Sequence, residues 1–158
     1  MVIQRWQTVF LLIVAAMMSC FTFCSLGQVQ MPDMSLDFST IGFSIEGEAA
    51  DGAPSGYYMY TWPFFIVSLL SVALPFIAIF LFKNMKLQKN VCAIEMLFIV
   101  ALVVIGCLYG YDSEAFQGNS VRWSSVVVAL PLALVADILA YNRISSDQRL
   151  LRSTERLR

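Results

Sequence analysis

Four stretches of the chain are almost continuously apolar, at about residues 6–26, 58–82, 91–111 and 123–141. Each holds the roughly 20 residues that a helix needs to cross a hydrocarbon core of about 30 Å. Aromatic residues suited to the headgroup region bracket three of them. Tyr57, Tyr58, Tyr60 and Trp62 open the second, Tyr109 and Tyr111 close the third, and Trp123 and Tyr141 flank the fourth. The pattern predicts four transmembrane helices, outer loops at 27–57 and 112–122, a short link at 83–90 and a tail at 142–158. Pro63 stands in the first turn of span two, where its missing N–H is harmless. Pro75 and Pro131 fall inside spans two and four, where each frees a carbonyl and can kink the helix.

The first outer loop has its own pattern. Leu36 and Phe38, then Ile41, Phe43 and Ile45, alternate with polar residues and slip phase near Ser39-Thr40, as a short β-hairpin turning there would. Residues 47–56 are small, acidic and turn-rich, which predicts an irregular loop. A two-stranded hairpin is marginal in water, so its apolar face is expected on the helix ends or on a partner.

Charge orients these segments. Nine of the ten basic residues lie before span one, between spans two and three, or after span four: Arg5, Lys83, Lys86, Lys89, Arg143, Arg149, Arg152, Arg156 and Arg158. Seven of the eleven acids, Asp33, Asp37, Glu46, Glu48, Asp51, Asp112 and Glu114, lie in the other two loops against Arg122 alone. By the positive-inside rule both termini and the 83–90 link are cytoplasmic. Arg5, the apolar run from Val9 to Met18 and Ser19-Cys20 also fit a lipoprotein-type signal peptide. However, Met17, Met18 and Ser19 are not the Leu-Ala-Gly kind, and Phe21, Phe23 and Leu26 carry the run to spanning length, so a retained helix is expected.

Composition removes several chemistries. The chain has no His, the usual proton shuttle near neutral pH and the commonest metal ligand. No metal or cofactor site is expected. Cys20, Cys24, Cys92 and Cys107 all lie within apolar segments, unlike a secreted disulfide framework. A thiol oxidoreductase would need Cys20 or Cys24 exposed beside Cys107, and buried Cys otherwise behaves as a small hydrophobe.

Glu95 and Asp137 are the only acids inside the spans, and an ionisable residue in a membrane helix is a functional hypothesis by default. Counting from the span ends at about 1.5 Å per residue puts both some 6–9 Å from the inner interface. At that depth they are expected to pair with Lys83, Lys89, Arg5 or Arg143, or to snorkel to water. Facing each other instead, the two would share a proton and could relay protons or bind a cation. Ser68 and Ser71 are the other polar residues near the midplane. In the tail, Ser145 with Gln148 makes a capping box, and Leu150, Leu151 and Leu157 oppose the arginines. That predicts a short amphipathic helix on anionic lipid at the cytoplasmic face. Without aromatic stacking residues it is a poor nucleic-acid signal, and no nucleic-acid partner is expected.

The stretch from Met1 through Gln4-Arg5 to Thr8, the run Ile79 to Gln88, and the close from Asn142-Arg143 through Asp147 and Leu150 to Arg158 together resemble an uncharacterised family of small four-span inner-membrane proteins of Bacteroidota-type bacteria, a domain of unknown function. Met85, Tyr141 and Glu155 depart mildly from its pattern. The resemblance implies fold, topology and an inner-membrane location, and no activity. It draws attention to an inner polar surface of Gln4, Arg5, Lys83, Asn84, Lys86, Gln88, Arg143, Arg149, Arg152, Arg156 and Arg158.

The expectation is therefore an all-α, four-helix membrane bundle with a β-hairpin in its first outer loop and a cytoplasmic amphipathic tail helix. It would be a non-enzymatic accessory or scaffold component, binding a partner protein, a second copy or anionic lipid. The alternative is a small transporter or channel subunit using Glu95 and Asp137. A transport pathway requires a polar seam running from those acids past Ser68 and Ser71 to the outer side; a scaffold requires a dry, packed centre.

Overall fold

The computed structural model describes residues 3–30, 35–46, 56–112, 118 and 120–155. Helices dominate: α1 Ile3–Phe23, α2 Trp62–Phe80, α3 Met85–Asp112 and α4 Ala129–Glu155. Five short strands, β1 Gly27–Gln30, β2 Ser35–Phe38, β3 Gly42–Glu46, β4 Tyr57–Tyr60 and β5 Ser120–Trp123, form one antiparallel sheet in the order β4-β3-β2-β1-β5. α2, α3 and the stretch Ser125–Leu150, which is most of α4 with the four residues before it, are long and apolar enough to cross a membrane, and the shorter apolar stretch of α1 covers Gln7–Phe23.

Each helix buries a single stripe at alternating spacings of four and three. The stripe is Gln7, Leu11, Val14, Met18 and Phe21 on α1, and Phe64, Ser68, Ser71, Pro75 and Ala78 on α2. It continues as Gln88, Cys92, Glu95, Ile99 and Leu102 on α3, and as Ala133, Asp137, Ala140, Ile144 and Asp147 on α4. A 3.5-residue repeat of this kind keeps one seam facing its neighbours and selects a left-handed bundle. α1 packs on α2 and α4, and α3 completes the square between α2 and α4.

The sheet closes one end of this bundle. The predicted hairpin is present as β2 and β3, with Phe38 opposite Phe43, Leu36 opposite Ile45, and a turn closed by Ser39 and Gly42 bonding each other's backbone. It is the middle of a larger sheet, because β1 pairs with both β2 and β5, and β4 adds to β3. Its apolar face lies on the helix ends, as expected: Phe38 stacks on Phe43 at 4.7 Å and on Phe64 of α2 at 6.2 Å, and Phe64 meets Phe21 edge-on at 5.9 Å. Hydroxyls stitch the junction. Thr61 donates to the Thr40 carbonyl at 2.8 Å and Thr40 to the Thr22 carbonyl at 2.7 Å.

Several boundaries differ from the sequence reading. α2 begins at Trp62 because Tyr57–Tyr60 is a strand. The 83–90 link is largely the first turns of α3. The separate tail helix is corrected: α4 runs unbroken to Glu155, because Ile144 and Asp147 extend its buried stripe past Tyr141. Ser145 is therefore mid-helix rather than a cap, and its hydroxyl accepts from Lys89 at 3.2 Å. Pro131 sits in the first turn of α4, directly after a 3-10 turn at Ser125–Val128, so it marks the helix start instead of kinking its middle. Pro75 does lie inside α2, and by lacking an N–H it releases the carbonyl of Ser71 from the helix ladder.

Candidate functional site

The four stripes meet in layers, and one layer is polar. Glu95 and Asp137 are 1% and 0% exposed, Ser71 is 0% exposed, and Cys92 on the same α3 stripe is 1% exposed. Glu95 interacts electrostatically with Asp137 across the α3–α4 contact and with Ser71 across the α2–α3 contact, and Cys92 faces Asp137. All four carboxylate oxygens and the Ser71 hydroxyl are buried, and by geometry none has a hydrogen-bond partner among the described residues. The layer splits the apolar core. On the sheet side lies a large cluster that includes Met18, Phe21, Phe38, Phe64, Ile99 and Leu102, and on the other side a small one of Leu11, Ala78, Cys92, Ala140 and Ile144.

The expected ion pairing of the two acids is not seen among the described residues. Lys89 binds Ser145 and lies over the Tyr141 ring at 4.8 Å, and Arg143 is exposed. The side chains of Arg5 and Lys83 lie outside the described set. Ser71 is the central residue of α2, nine residues from either end, about 13 Å at 1.5 Å per residue, and Glu95 lies beside it.

The seam extends from this layer in both directions but with different character. Toward the sheet, Ser68 donates to the Phe65 carbonyl at 2.8 Å and Thr22 to the Met18 carbonyl at 2.8 Å, so those hydroxyls are fixed to backbone. Toward the helix ends away from the sheet, Gln7 donates to a buried Asp147 carboxylate, tying α1 to α4. Gln88 is 2% exposed with its side-chain carbonyl unbonded, and the Gln148 amide nitrogen is buried and unbonded. The sequence reading missed Gln7 and Asp147. The signal was present, since both fall on the 3.5-residue stripe of their helices.

The proposed inner polar surface is only partly a surface. Asn84, Lys86, Arg143 and Arg149 are exposed, whereas Gln88 is in the core. Arg156 and Arg158 lie outside the described residues, as do the side chains of Gln4 and Arg152. Cys20, Cys24 and Cys107 are exposed free thiols and Cys92 is buried, but α1 and α3 stand across the bundle from one another, which does not bring Cys20 or Cys24 to Cys107. Among the described residues no three His, Cys, Asp or Glu side chains are arranged to hold a metal ion.

Long apolar helices packed along one stripe, with a polar layer inside them, define a small helical protein built for a membrane. The chain belongs to the family described as a domain of unknown function (DUF4293), whose model matches residues 3–157. No curated protein matches it.

Proposed function

We propose that this chain is a four-span inner-membrane protein, with both termini and the 83–90 link in the cytoplasm, that handles protons through the carboxyl pair Glu95 and Asp137. It would serve as a non-enzymatic subunit of a small transporter or channel. One observation carries the reading: two carboxyls share a buried layer on adjacent helices, with no basic side chain bonded to them among the described residues. A membrane interior tolerates such groups at substantial cost, and they mark proton and ion pathways. The groups facing the pair are Ser71 from α2 and Cys92 from α3, while the α1 stripe at that level offers Leu11 and Val14 and nothing titratable. Ser71 also supplies the carbonyl that Pro75 releases, a further acceptor for a protonated carboxyl.

Access favours the cytoplasmic side in this reading. Between the pair and the Gln7, Gln88 and Asp147 level lie Ala78, Cys92 and Ala140 with Leu11 and Ile144, whereas the sheet side is filled by Phe21, Phe38, Phe43 and Phe64. An apolar carbodiimide, which modifies protonated carboxyls in apolar surroundings, tests the proposal in native membranes. Modification should map to Glu95 or Asp137, disappear in Glu95→Gln/Asp137→Asn, and accompany loss of proton uptake in proteoliposomes. Unmodified carboxyls together with unchanged uptake in the double variant would sink it.

A second reading keeps the scaffold role, because exposed Asn84, Lys86, Arg143 and Arg149 gather at the end away from the sheet. That face would engage anionic lipid, a membrane protein partner or a second copy. Purification from native membranes in mild detergent, with Arg143→Glu/Arg149→Glu as control, should then lose a stoichiometric partner or bound anionic lipid in the control.

A further inference from the structure

A second polar site lies apart from the acid pair, in the groove between α3 and α4 at the end away from the sheet. Lys89 of α3 reaches across it to the Ser145 hydroxyl at 3.2 Å and lies 4.8 Å from the centre of the Tyr141 ring, which fixes the register of the two helices there. Residues three and four apart share a helix face, so Lys86 stands one turn beyond Lys89, and Gln148 and Arg149 one turn beyond Ser145. The two helices run antiparallel, so these steps lead the same way, out of the bundle on the side away from the sheet. Lys86 and Arg149 are exposed, whereas the Gln148 amide nitrogen is buried with no hydrogen-bond acceptor among the described residues. Asp147, next along α4, turns away from the groove to Gln7 of α1. Three cations and one unanswered buried donor therefore flank the groove, and none of the described residues flanking it is an acid.

We propose that this groove binds the phosphate of an anionic phospholipid from the cytoplasmic leaflet. The inference deepens the second reading above and rests on it. Lysine, arginine and an amide N–H are all donors, and a phosphate offers each of them a charged oxygen. Position selects a lipid over a free anion. The apolar stretches Met85–Gly110 and Ser125–Leu150 both end at this level, which is where headgroups lie when the helices span a membrane. Toward the sheet the same groove has apolar walls. Val100 is eleven residues, about three turns, from Lys89, and Ile138 is seven residues, about two turns, from Ser145, so both keep to the groove's sides. They are 51% and 41% exposed, and an acyl chain of the bound lipid lies along them. Charge selects the headgroup, because a zwitterionic lipid brings its own ammonium group among Lys86, Lys89 and Arg149.

The test is native mass spectrometry of the full-length protein in mild detergent, titrated with phosphatidylglycerol or with phosphatidylcholine. The first phosphatidylglycerol should bind more tightly than the first phosphatidylcholine. Lys86→Gln and Arg149→Gln should each weaken it about fivefold, the factor that one basic residue beside anionic lipid is worth. Gln148→Leu removes the buried donor without changing charge and should also weaken it, while leaving the thermal midpoint no lower, since that donor has no bond within the described residues to lose. Arg143→Gln is the control. It removes the same charge from an exposed site at the same end of α4, but two residues from Ser145 and so on the far side of the helix, and should leave the affinity unchanged. Equal losses in Arg143→Gln, Lys86→Gln and Arg149→Gln would overturn the groove site and leave a diffuse basic face. Displacement of the lipid by equimolar inorganic phosphate would overturn the choice of a lipid. Equal affinity of the unaltered protein for the two lipids would overturn the site and strike anionic lipid from the second reading as well.

Discussion

Asp137 holds two carboxylate oxygens in the core without a hydrogen bond, and Glu95 does the same one helix away. A buried polar group without a partner destabilises by about 1–3 kcal/mol, so apolar replacements of similar shape should stabilise the fold while removing the chemistry. We expect Asp137→Leu and Glu95→Met each to raise the thermal midpoint in detergent and to end carbodiimide modification at the mutated position. A lowered midpoint in both would mean that the carboxyls serve the packing. Gln7 has the opposite sign. Gln7→Leu strands the Asp147 carboxylate it now donates to, and should lower stability by about 1–3 kcal/mol, with Gln7→Leu/Asp147→Leu recovering most of the loss in a calorimetric double-mutant cycle. Glu95 and Asp137 were legible in the sequence as acids inside apolar runs. Their meeting in one buried layer was not, because it depends on how the stripes of α3 and α4 face each other, which neither segment reports alone.

Among the elements, the helices were legible and the sheet only in part. Runs of about 20 apolar residues announce membrane helices without reference to anything distant. β1 and β5 each hold four residues, and their meaning lies in a pairing that joins Val29 to Val121 across 92 positions of chain. No local alternation can report such a partner. Tyr57–Tyr60 was read as an interfacial belt because tyrosines suit both a strand and a headgroup region equally well. Gly42 is the backbone hinge of this sheet: its φ is +155°, and a Cβ there would come within 2.2 Å of the Met59 carbonyl oxygen. Gly42→Ala should therefore push β4 off β3, destabilising by about 1–3 kcal/mol, with faster amide exchange confined to Phe43–Ile45 and Tyr57–Tyr60. Exchange unchanged in those segments would show that the strand edge relaxes without separating.

For the whole molecule, the open question is whether α1 crosses with the other three helices. Both of its ends are tied into the same bundle. At one end Leu26 donates from its N–H to Phe38 at 2.8 Å and accepts from Ser124 at 2.9 Å, which joins the chain leaving α1 to the sheet and to the start of α4. At the other, Gln7 bonds Asp147 near the far end of α4. A helix fastened at both ends to α4 must run its length, and 21 residues at about 1.5 Å each make about 31 Å, the thickness of a hydrocarbon core. The count of spans then becomes a matter of parity. With four crossings, a fluorescent protein fused to either terminus should fold and fluoresce in the cytoplasm, and alkaline phosphatase inserted in the 47–55 segment should be active outside it. With three crossings the two ends would lie on opposite sides, and one terminal fusion would stay dark. A dark fusion at the N-terminus alone would place α1 outside the membrane and would detach Gln7 from Asp147, so the same cells should then show no loss of stability in Gln7→Leu.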